Sequence, residues 1–353
     1  MKKTFLFILT AAMLLASCAP KPGTRWPVEK AQAWYAEHDW LVGCDYIPAS
    51  AINQIEMWSS DTYDRERIVT ELAAAHELGF NTLRVFLSSV VWQNDPEGFK
   101  TRVDDFLSIC DGCGIKPLLV FLDDCWNNES EYGAQPAPVP GKHNSGWVQD
   151  PSCARRADTT TLYPQLHAYV KDVMGTFKDD SRILLWDLYN EPGNTHHEID
   201  AVPMLRHMFE WAREVNPSQP LTAGVWTDKA DELNRMSLEE SDIISYHSYS
   251  RPATHETLIK HLRMHNRPMI CTEYMARTHG STFQSILPLL KKYNVGAINW
   301  GFVDGKTNTK YSWEKEIPSG EEPELWFHDI LRGDLTPYLQ EEVDFIREIT
   351  ARK

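Results

Sequence analysis

The chain has 353 residues, 42% of them hydrophobic and 24% charged, with no low-complexity tract; it can bury a large core and is neither a disordered nor a fibrous sequence. Its formal net charge of −15 argues against a nucleic-acid partner, because binding to phosphate backbones depends on Lys and Arg. Surplus acid of this kind keeps a surface solvated and leaves a neutral polysaccharide unaffected, so it does not identify a ligand.

Lys2 and Lys3 precede an apolar stretch over residues 5–15, too short to stay in a bilayer as a folded anchor, which is the pattern of a secretory signal over residues 1–17. The run Leu15-Ala16-Ser17-Cys18 resembles the bacterial lipobox, in which the cysteine becomes the acylated first residue of the mature chain. That resemblance implies a lipid anchor at Cys18 on the bacterial cell envelope, on the periplasmic or the outer-surface side, with residues 18–25 as a short tether. The alternative is a plain signal peptide with a chance cysteine. Loss of residues 1–17, which carry Lys2 and Lys3 and no acid, makes the net charge −17.

Residues 26–40, with Trp34 and Trp40, are expected to form a leading helix that covers part of the barrel. From residue 41 onward, short runs rich in β-branched, Leu and aromatic residues alternate with longer helical patterns, the signature of repeated βα units. Eight strands are expected, over 41–47, 82–87, 116–122, 183–190, 221–226, 243–249, 268–273 and 297–302. Helices are expected over 64–78, 100–113, 164–177, 204–215, 255–265 and 282–293, with a closing helix over 340–350. The second unit is typical: Glu71, Leu72, Ala75 and Leu78 alternate with polar positions, and Gly79 ends the helix before the strand begins. Right-handed crossovers repeated in this way close a single (β/α)₈ barrel over residues 26–353.

The longest connection, 123–161, is rich in Pro, Gly, Asn and aromatic residues without a clear period, and long loops of this kind are often functional. Six cysteines lie beyond Cys18. Cys44 and Cys271 sit in strand-like apolar surroundings where a thiol packs well. Cys110 and Cys113 have CxxC spacing inside a helical pattern, without the second pair that a zinc site needs. Cys125 and Cys153 could close the long loop as a disulfide. His196 and His197 are adjacent and so point apart, and no metal or other cofactor is expected. No G-x-S-x-G elbow is present to support serine hydrolase chemistry.

The fourth strand ends in Leu184-Leu185-Trp186-Asp187-Leu188-Tyr189-Asn190-Glu191-Pro192, and the seventh in Ile270-Cys271-Thr272-Glu273-Tyr274. In a (β/α)₈ barrel the loops after the strands build the active face, so each segment brings a Glu there. One such Glu can simply cap the following helix. Two, on strands three places apart in the ring, project across one cavity, which suits two acids acting on opposite sides of one bond. Glycoside hydrolysis needs that pair: a proton donor for the leaving oxygen and, with retention, a carboxylate that attacks the anomeric carbon, the two carboxyls standing about 5–5.5 Å apart.

The Asn190-Glu191-Pro192 strand end resembles that of the clan A glycoside hydrolases, especially family five, the cellulase and mannanase family, and the likeness spans the barrel. The resemblance implies a retaining O-glycosyl hydrolase of β-linked poly- or oligosaccharide, an endo-β-glycanase, with Glu191 as acid/base and Glu273 as nucleophile. It further implies that Arg84 supports the nucleophile's charge and that Tyr249, two residues after His247, hydrogen-bonds Glu273. Asn190 would bind the sugar 2-hydroxyl, and Trp300 would form the platform beneath the sugar at the cleaved bond. His247 is either part of this set or a core histidine.

Strand three departs from the family, which commonly ends it in His; here the end reads Leu122-Asp123-Asp124-Cys125-Trp126, and Asp124 is expected to take that role. Asn53, Gln54, Glu56 and Trp58 after the first strand are candidate subsite residues, as are Trp126, His143, Asn144 and Trp147 after the third and Trp226 after the fifth. Any single one of them is equally a packing residue. The expected partner is a carbohydrate, and the expected form a monomer. Two other readings stay open: a non-catalytic sugar-binding barrel, and a clan A exo-glycosidase such as a β-galactosidase or arabinofuranosidase.

Overall fold

The computed structural model describes residues 23–196 and 198–351, apart from the side chains of His196 and Glu198; the expected signal, Cys18, most of the tether and His197 lie outside the described residues. Eight parallel strands form one sheet: β1 (Val42–Asp45), β2 (Thr82–Phe86), β3 (Lys116–Asp123), β4 (Leu185–Asn190), β5 (Leu221–Thr222), β6 (Ile244–His247), β7 (Met269–Glu273) and β8 (Gly296–Asn299). The sheet curls so that β1 pairs with both β2 and β8. Between β5 and β6 the ring closes through a single bridge, in which the Val225 N–H donates to Ser245 O at 3.0 Å and the His247 N–H to Val225 O at 2.9 Å. The fifth strand is thus much shorter than the expected 221–226, because Gly224 has no side chain to pack and weakens the run. The architecture is the (β/α)₈ barrel.

Every expected helix is present. Asp64 caps the helix Arg65–Glu77 through a hydrogen bond to the Arg67 N–H, and Gly79 leaves that helix at φ +78, where a Cβ would meet the Thr350 hydroxyl at 2.4 Å. Some helices run longer than their apolar pattern: Pro96–Gly112 starts at an Asp95 cap with Pro at its first position, and Thr159–Phe177 starts at an Asp158 cap. The helix Asp231–Glu240 between β5 and β6 was not expected, since only Leu233, Met236 and Ser237 of its residues are buried and its N-cap, Ala230, offers no side-chain hydrogen bond. Among the described residues no helix is long and apolar enough to cross a membrane.

Strand side chains alternate between the barrel interior and the helix layer. Along β3, Leu118 packs at the barrel floor, Leu119 and Phe121 face the helices, and Val120 joins an upper aromatic cluster. The floor comprises Leu41, Leu118, Leu184, Leu185, Ile243, Ile270 and Ile298, plugged by Ala31 and Tyr35 of the leading helix Val28–Ala36. Each buried Leu or Ile contributes roughly 1.5–3 kcal/mol. With the floor closed by apolar residues, the polar interior positions are left at the opposite, C-terminal mouth.

Candidate active site

Strand register assembles the site. Asp45 of β1 lies opposite Arg84 of β2, Asp123 of β3 opposite Asn190 of β4, and His247 of β6 opposite Glu273 of β7. The Arg84 guanidinium has no exposed surface. It donates from Nε to Asp187 Oδ2 at 2.9 Å, from Nη1 to Asp45 Oδ1 and Glu273 Oε1 at 3.0 Å each, and from Nη2 to Asn190 Oδ1 at 2.7 Å. Only a planar, permanently charged fork can hold four such acceptors in fixed directions. Burial pushes the Asp45 and Asp187 carboxyls above their ordinary range, with Arg84 opposing the shift.

Glu273 therefore meets Arg84 on one oxygen, while its other oxygen accepts from the Tyr249 hydroxyl at 2.7 Å. Burial, reinforced by the charge of Glu191, lifts the Glu273 carboxyl above its usual range in spite of His247, Arg84 and Tyr249. The two oxygens are fixed in orientation, and the carboxylate is presented to the cavity as a rigid group.

Glu191 follows the last residue of β4 with φ +43, a left-handed conformation that costs a non-glycine residue on the order of 1–2 kcal/mol. Pro192, which has no backbone N–H, follows outside the strand. The strained turn directs the carboxylate into the mouth, where His247 Nδ1 lies 2.8 Å from Oε1, and the Asn194 amide at 2.5 Å and the Cys125 thiol at 3.2 Å both donate to Oε2. Burial acts on Glu191 too, but the bond and charge of His247, helped by Cys125 and Asn194, outweigh it and hold the carboxyl below its ordinary value. The hydrogen bond between Glu191 and His247 keeps one proton between them, whichever atom it resides on.

One oxygen of Glu191, one of Glu273 and a ring nitrogen of His247 all lie within 4.8 Å of one another. Three such donors could in principle ligate a metal ion. A dication there would stand beside the Arg84 guanidinium, which already holds Glu273, so the set is better matched to proton transfer than to metal binding.

The carboxylates open into a cavity of about 1100 Å³ whose lining includes Glu191, His247, Glu273, Trp226, Trp300 and Trp313. On the Glu273 side the rings form a continuous wall. Tyr249 touches Trp313 with centroids 4.8 Å apart, Trp313 touches His143 at 5.7 Å, and His143 touches Trp126 at 5.2 Å. On the Glu191 side stands Trp226, whose indole N–H donates to Pro192 O at 3.1 Å.

The structure brings together Glu191, Glu273, Arg84, Asn190, His247 and Tyr249, and it places Trp300, Trp126 and Trp226 on the cavity. Six expected sugar contacts are not on that cavity, among them Gln54, whose amide donates to Val148 O at 2.7 Å, and the buried Trp58, whose indole N–H donates to Phe86 O at 2.7 Å. Asp124 is fully buried and tied to Arg156, to the Tyr189 hydroxyl at 2.7 Å and to the Gly193 N–H at 2.8 Å, so it braces the turn below Glu191. Asn53 caps the helix Gln54–Trp58 and donates to Gly146 O at 2.9 Å. Glu56 is used by the Ile52 N–H and by Lys306. Trp147 lies behind Trp300, their centroids 5.5 Å apart, and donates to Asp123 Oδ2 at 2.7 Å. No disulfide joins Cys125 to Cys153: the Cys125 thiol turns to Glu191, and that of Cys153 toward Gln149 at 3.7 Å.

Several site residues were missed. Asp45 and Asp187 are acids inside apolar strand runs, a pattern that calls for a buried cation and so pointed to Arg84. Asn194 had a signal too, three residues after Glu191. Trp313 had none, because the segment after β8 lacks periodicity.

A (β/α)₈ barrel with two facing carboxylates, one backed by Arg and Tyr and the other by His, above an aromatic-walled cavity, defines a glycoside hydrolase. Residues 48–305 match the family model for cellulase, glycosyl hydrolase family 5. The chain belongs to glycosyl hydrolase family 5. Among solved structures it is similar to an exo-β-1,4-mannosidase from Opitutaceae bacterium strain TAV5, with TM-score 0.61, 18% identity and coverage of 88% of this chain and 60% of that one. It is also similar to a GH5_18 enzyme from Streptomyces cattleya in complex with GlcNAc, with TM-score 0.60, 13% identity and coverage of 88% and 79%. An endo-β-1,4-mannanase from Thermotoga petrophila follows, with TM-score 0.56, 14% identity and coverage of 90% and 77%. No curated protein matches the chain in sequence.

Proposed function

We propose that the chain hydrolyses β-linked oligo- or polysaccharides with retention of configuration. The observation that carries this reading is the close opposition of Glu191 and Glu273, one oxygen of each within 4.8 Å of one of the other, which fits the roughly 5–5.5 Å between the carboxyls of a retaining enzyme better than the roughly 6.5–9.5 Å that seats a water in an inverting one. In the first step Glu273 attacks the anomeric carbon as Glu191 protonates the departing oxygen, and a glycosyl ester forms on Glu273; because His247 holds the Glu191 carboxyl low in the free enzyme, this step draws on its protonated fraction and is favoured at mildly acid pH. In the second, Glu191 takes a proton from water, the water oxygen attacks the same carbon, and Glu273 leaves as carboxylate. Following the anomers by NMR during early turnover tests the reading: a β-configured first product is expected, and an α product overturns it.

The leaving group belongs beside Trp226, next to the acid/base, and the sugar that becomes esterified belongs beside Trp300, Tyr249 and Trp313. An endo-acting glycanase is the first reading, with β-mannans and β-glucans as the first polymers to assay. The ring wall on the Glu273 side favours a second, exo action on a terminal sugar. Viscosity loss against release of reducing sugar separates them: endo cleavage thins a polymer early, and exo cleavage releases single sugars while viscosity persists. We also propose that the enzyme is exported and held on the cell envelope by acylation of Cys18. Radiolabelled palmitate should enter the wild type and not a Cys18→Ala variant.

A further inference from the structure

Cys125 is held in place from several directions. Its backbone N–H donates to Asp123 Oδ1 at 3.0 Å, and Asp123 is itself gripped by the Trp147 indole at 2.7 Å and by the Asn190 amide at 2.8 Å. The thiol lines the cavity yet is 8% exposed. Its sulfur lies 3.2 Å from Glu191 Oε2 and accepts from the Asn190 amide at 3.4 Å and the Asn194 amide at 3.5 Å. It is thus a link between the Asn190 and Asn194 side chains and the carboxylate that both flank.

Glu191 has need of such a link. Its carboxylate leaves a left-handed turn rather than a regular strand, so strand geometry does not fix its direction, and a misplacement of about 1 Å at a reacting group can cost on the order of a hundredfold in rate. We propose that Cys125 is a positioning residue for the acid/base: its S–H donates to Oε2 and sets the plane of the Glu191 carboxyl toward the leaving-group oxygen. This inference rests on the glycosidase reading above. Burial, with the charges of Glu191, Asp123 and Glu273, pushes the thiol well up from its usual range, so the sulfur keeps its proton as a donor and is not the thiolate that nucleophilic chemistry would require. The competing reading is packing alone, since Cys125 also touches the cluster of Phe86, Val120, Trp147 and Trp300.

The two readings separate by leaving group. A 2,4-dinitrophenyl glycoside departs without a proton, whereas a phenyl glycoside needs the acid. In Cys125→Ala, kcat/KM is expected to fall about tenfold on the phenyl glycoside and less than about twofold on the dinitrophenyl one. The basic limb of the pH profile on the phenyl glycoside should move up, because a donor to the ionised Glu191 has gone. Cys125→Ser, which keeps a hydroxyl donor, should recover most of the loss, and melting temperatures of both variants check that they fold. Equal losses on the two glycosides, or no loss on either, overturn the proposal while leaving the glycosidase reading intact. A wild type that turns over neither these glycosides nor β-mannan or β-glucan overturns that reading and this inference with it.

Discussion

His247 Nδ1 lies 2.8 Å from Glu191 Oε1 and 3.4 Å from Glu273 Oε2, so a single imidazole couples the two carboxylates. The coupling has a sign. Burial and the negative charge of Glu191 lift Glu273 above its ordinary range. A nucleophile works only when ionised, and the acid limb of the profile for the free enzyme reports its titration. Glu191→Gln removes one of the two lifting influences and keeps the shape, so the Glu273 carboxyl titrates lower. The acid limb of kcat/KM on a dinitrophenyl glycoside, where no proton donor is needed, is therefore expected to shift to lower pH. A limb that stays in place or moves up would show that Glu191 does not raise Glu273.

Arg84 is the common partner of Asp45, Asp187, Glu273 and Asn190 and has no contact with solvent. Removing it strands three buried carboxyls without their cation, and breaking a buried pair costs about 3–5 kcal/mol. Arg84→Ala should unfold at markedly lower denaturant or give little soluble protein. Arg84→Lys retains a charge but not the fork, so it should lose less stability and yet drop kcat/KM by about a hundredfold, through misdirected Glu273 and Asn190. Urea melts alongside kinetics check both. Equal activity in Arg84→Lys and wild type would show that a point charge suffices.

How much of this was legible in the sequence follows from how local each feature is. The strand ends carrying Asn190-Glu191 and Glu273 were visible because a parallel strand buried on both faces is an apolar run, and its polar last residue stands out. Arg84, His247 and Tyr249 were legible by resemblance, and their contacts with the two Glu follow from register between neighbouring strands. Asp124 misled because adjacent residues of a strand end point to opposite sides: Asp123 turns to Asn190 and Trp147, and Asp124 to Arg156 and Tyr189. Neither Arg156 nor Tyr189 announces that partnership in the linear pattern. Cys125 and Trp313 were out of reach for a related reason, since both owe their position to long aperiodic segments whose paths depend on tertiary contacts. The helix Asp231–Glu240 was hidden by its solvated, polar face.

Trp226 stands on the Glu191 side of the cavity, and Trp313 packs against Tyr249 on the Glu273 side. A stacked ring contact contributes about 0.5–1.5 kcal/mol beyond bulk burial, up to roughly tenfold in affinity. Trp226→Ala should raise KM about tenfold on oligosaccharides and leave aryl monoglycosides almost unchanged. Trp313→Ala should weaken both classes, because the glycone is shared by every substrate. Kinetics on a chain-length series decides. If Trp226→Ala harms the aryl monoglycosides as much as the oligosaccharides, the leaving-group side has been misassigned.

Asp124 supplies a contrast between bracing and binding. Its carboxylate is fully buried among Arg156, Tyr189 and the Gly193 N–H, directly beneath the turn that aims Glu191. Truncation leaves the Arg156 cation, itself 6% exposed, without its main counter-charge, so Asp124→Ala should lose about 3–5 kcal/mol of stability. Asp124→Asn keeps the size and an acceptor and should lose less, about 1–3 kcal/mol. The kinetic consequence should run through kcat rather than KM. A displaced Gly193 tilts Glu191 and slows protonation, and the sugar contacts of Trp300 and Tyr249 are left as they were. Thermal melts and the kcat-against-KM split on a phenyl glycoside measure the two effects separately. Asp124 would be restored as a sugar ligand by an Asp124→Asn variant that melts like the wild type and shows a raised KM with unchanged kcat.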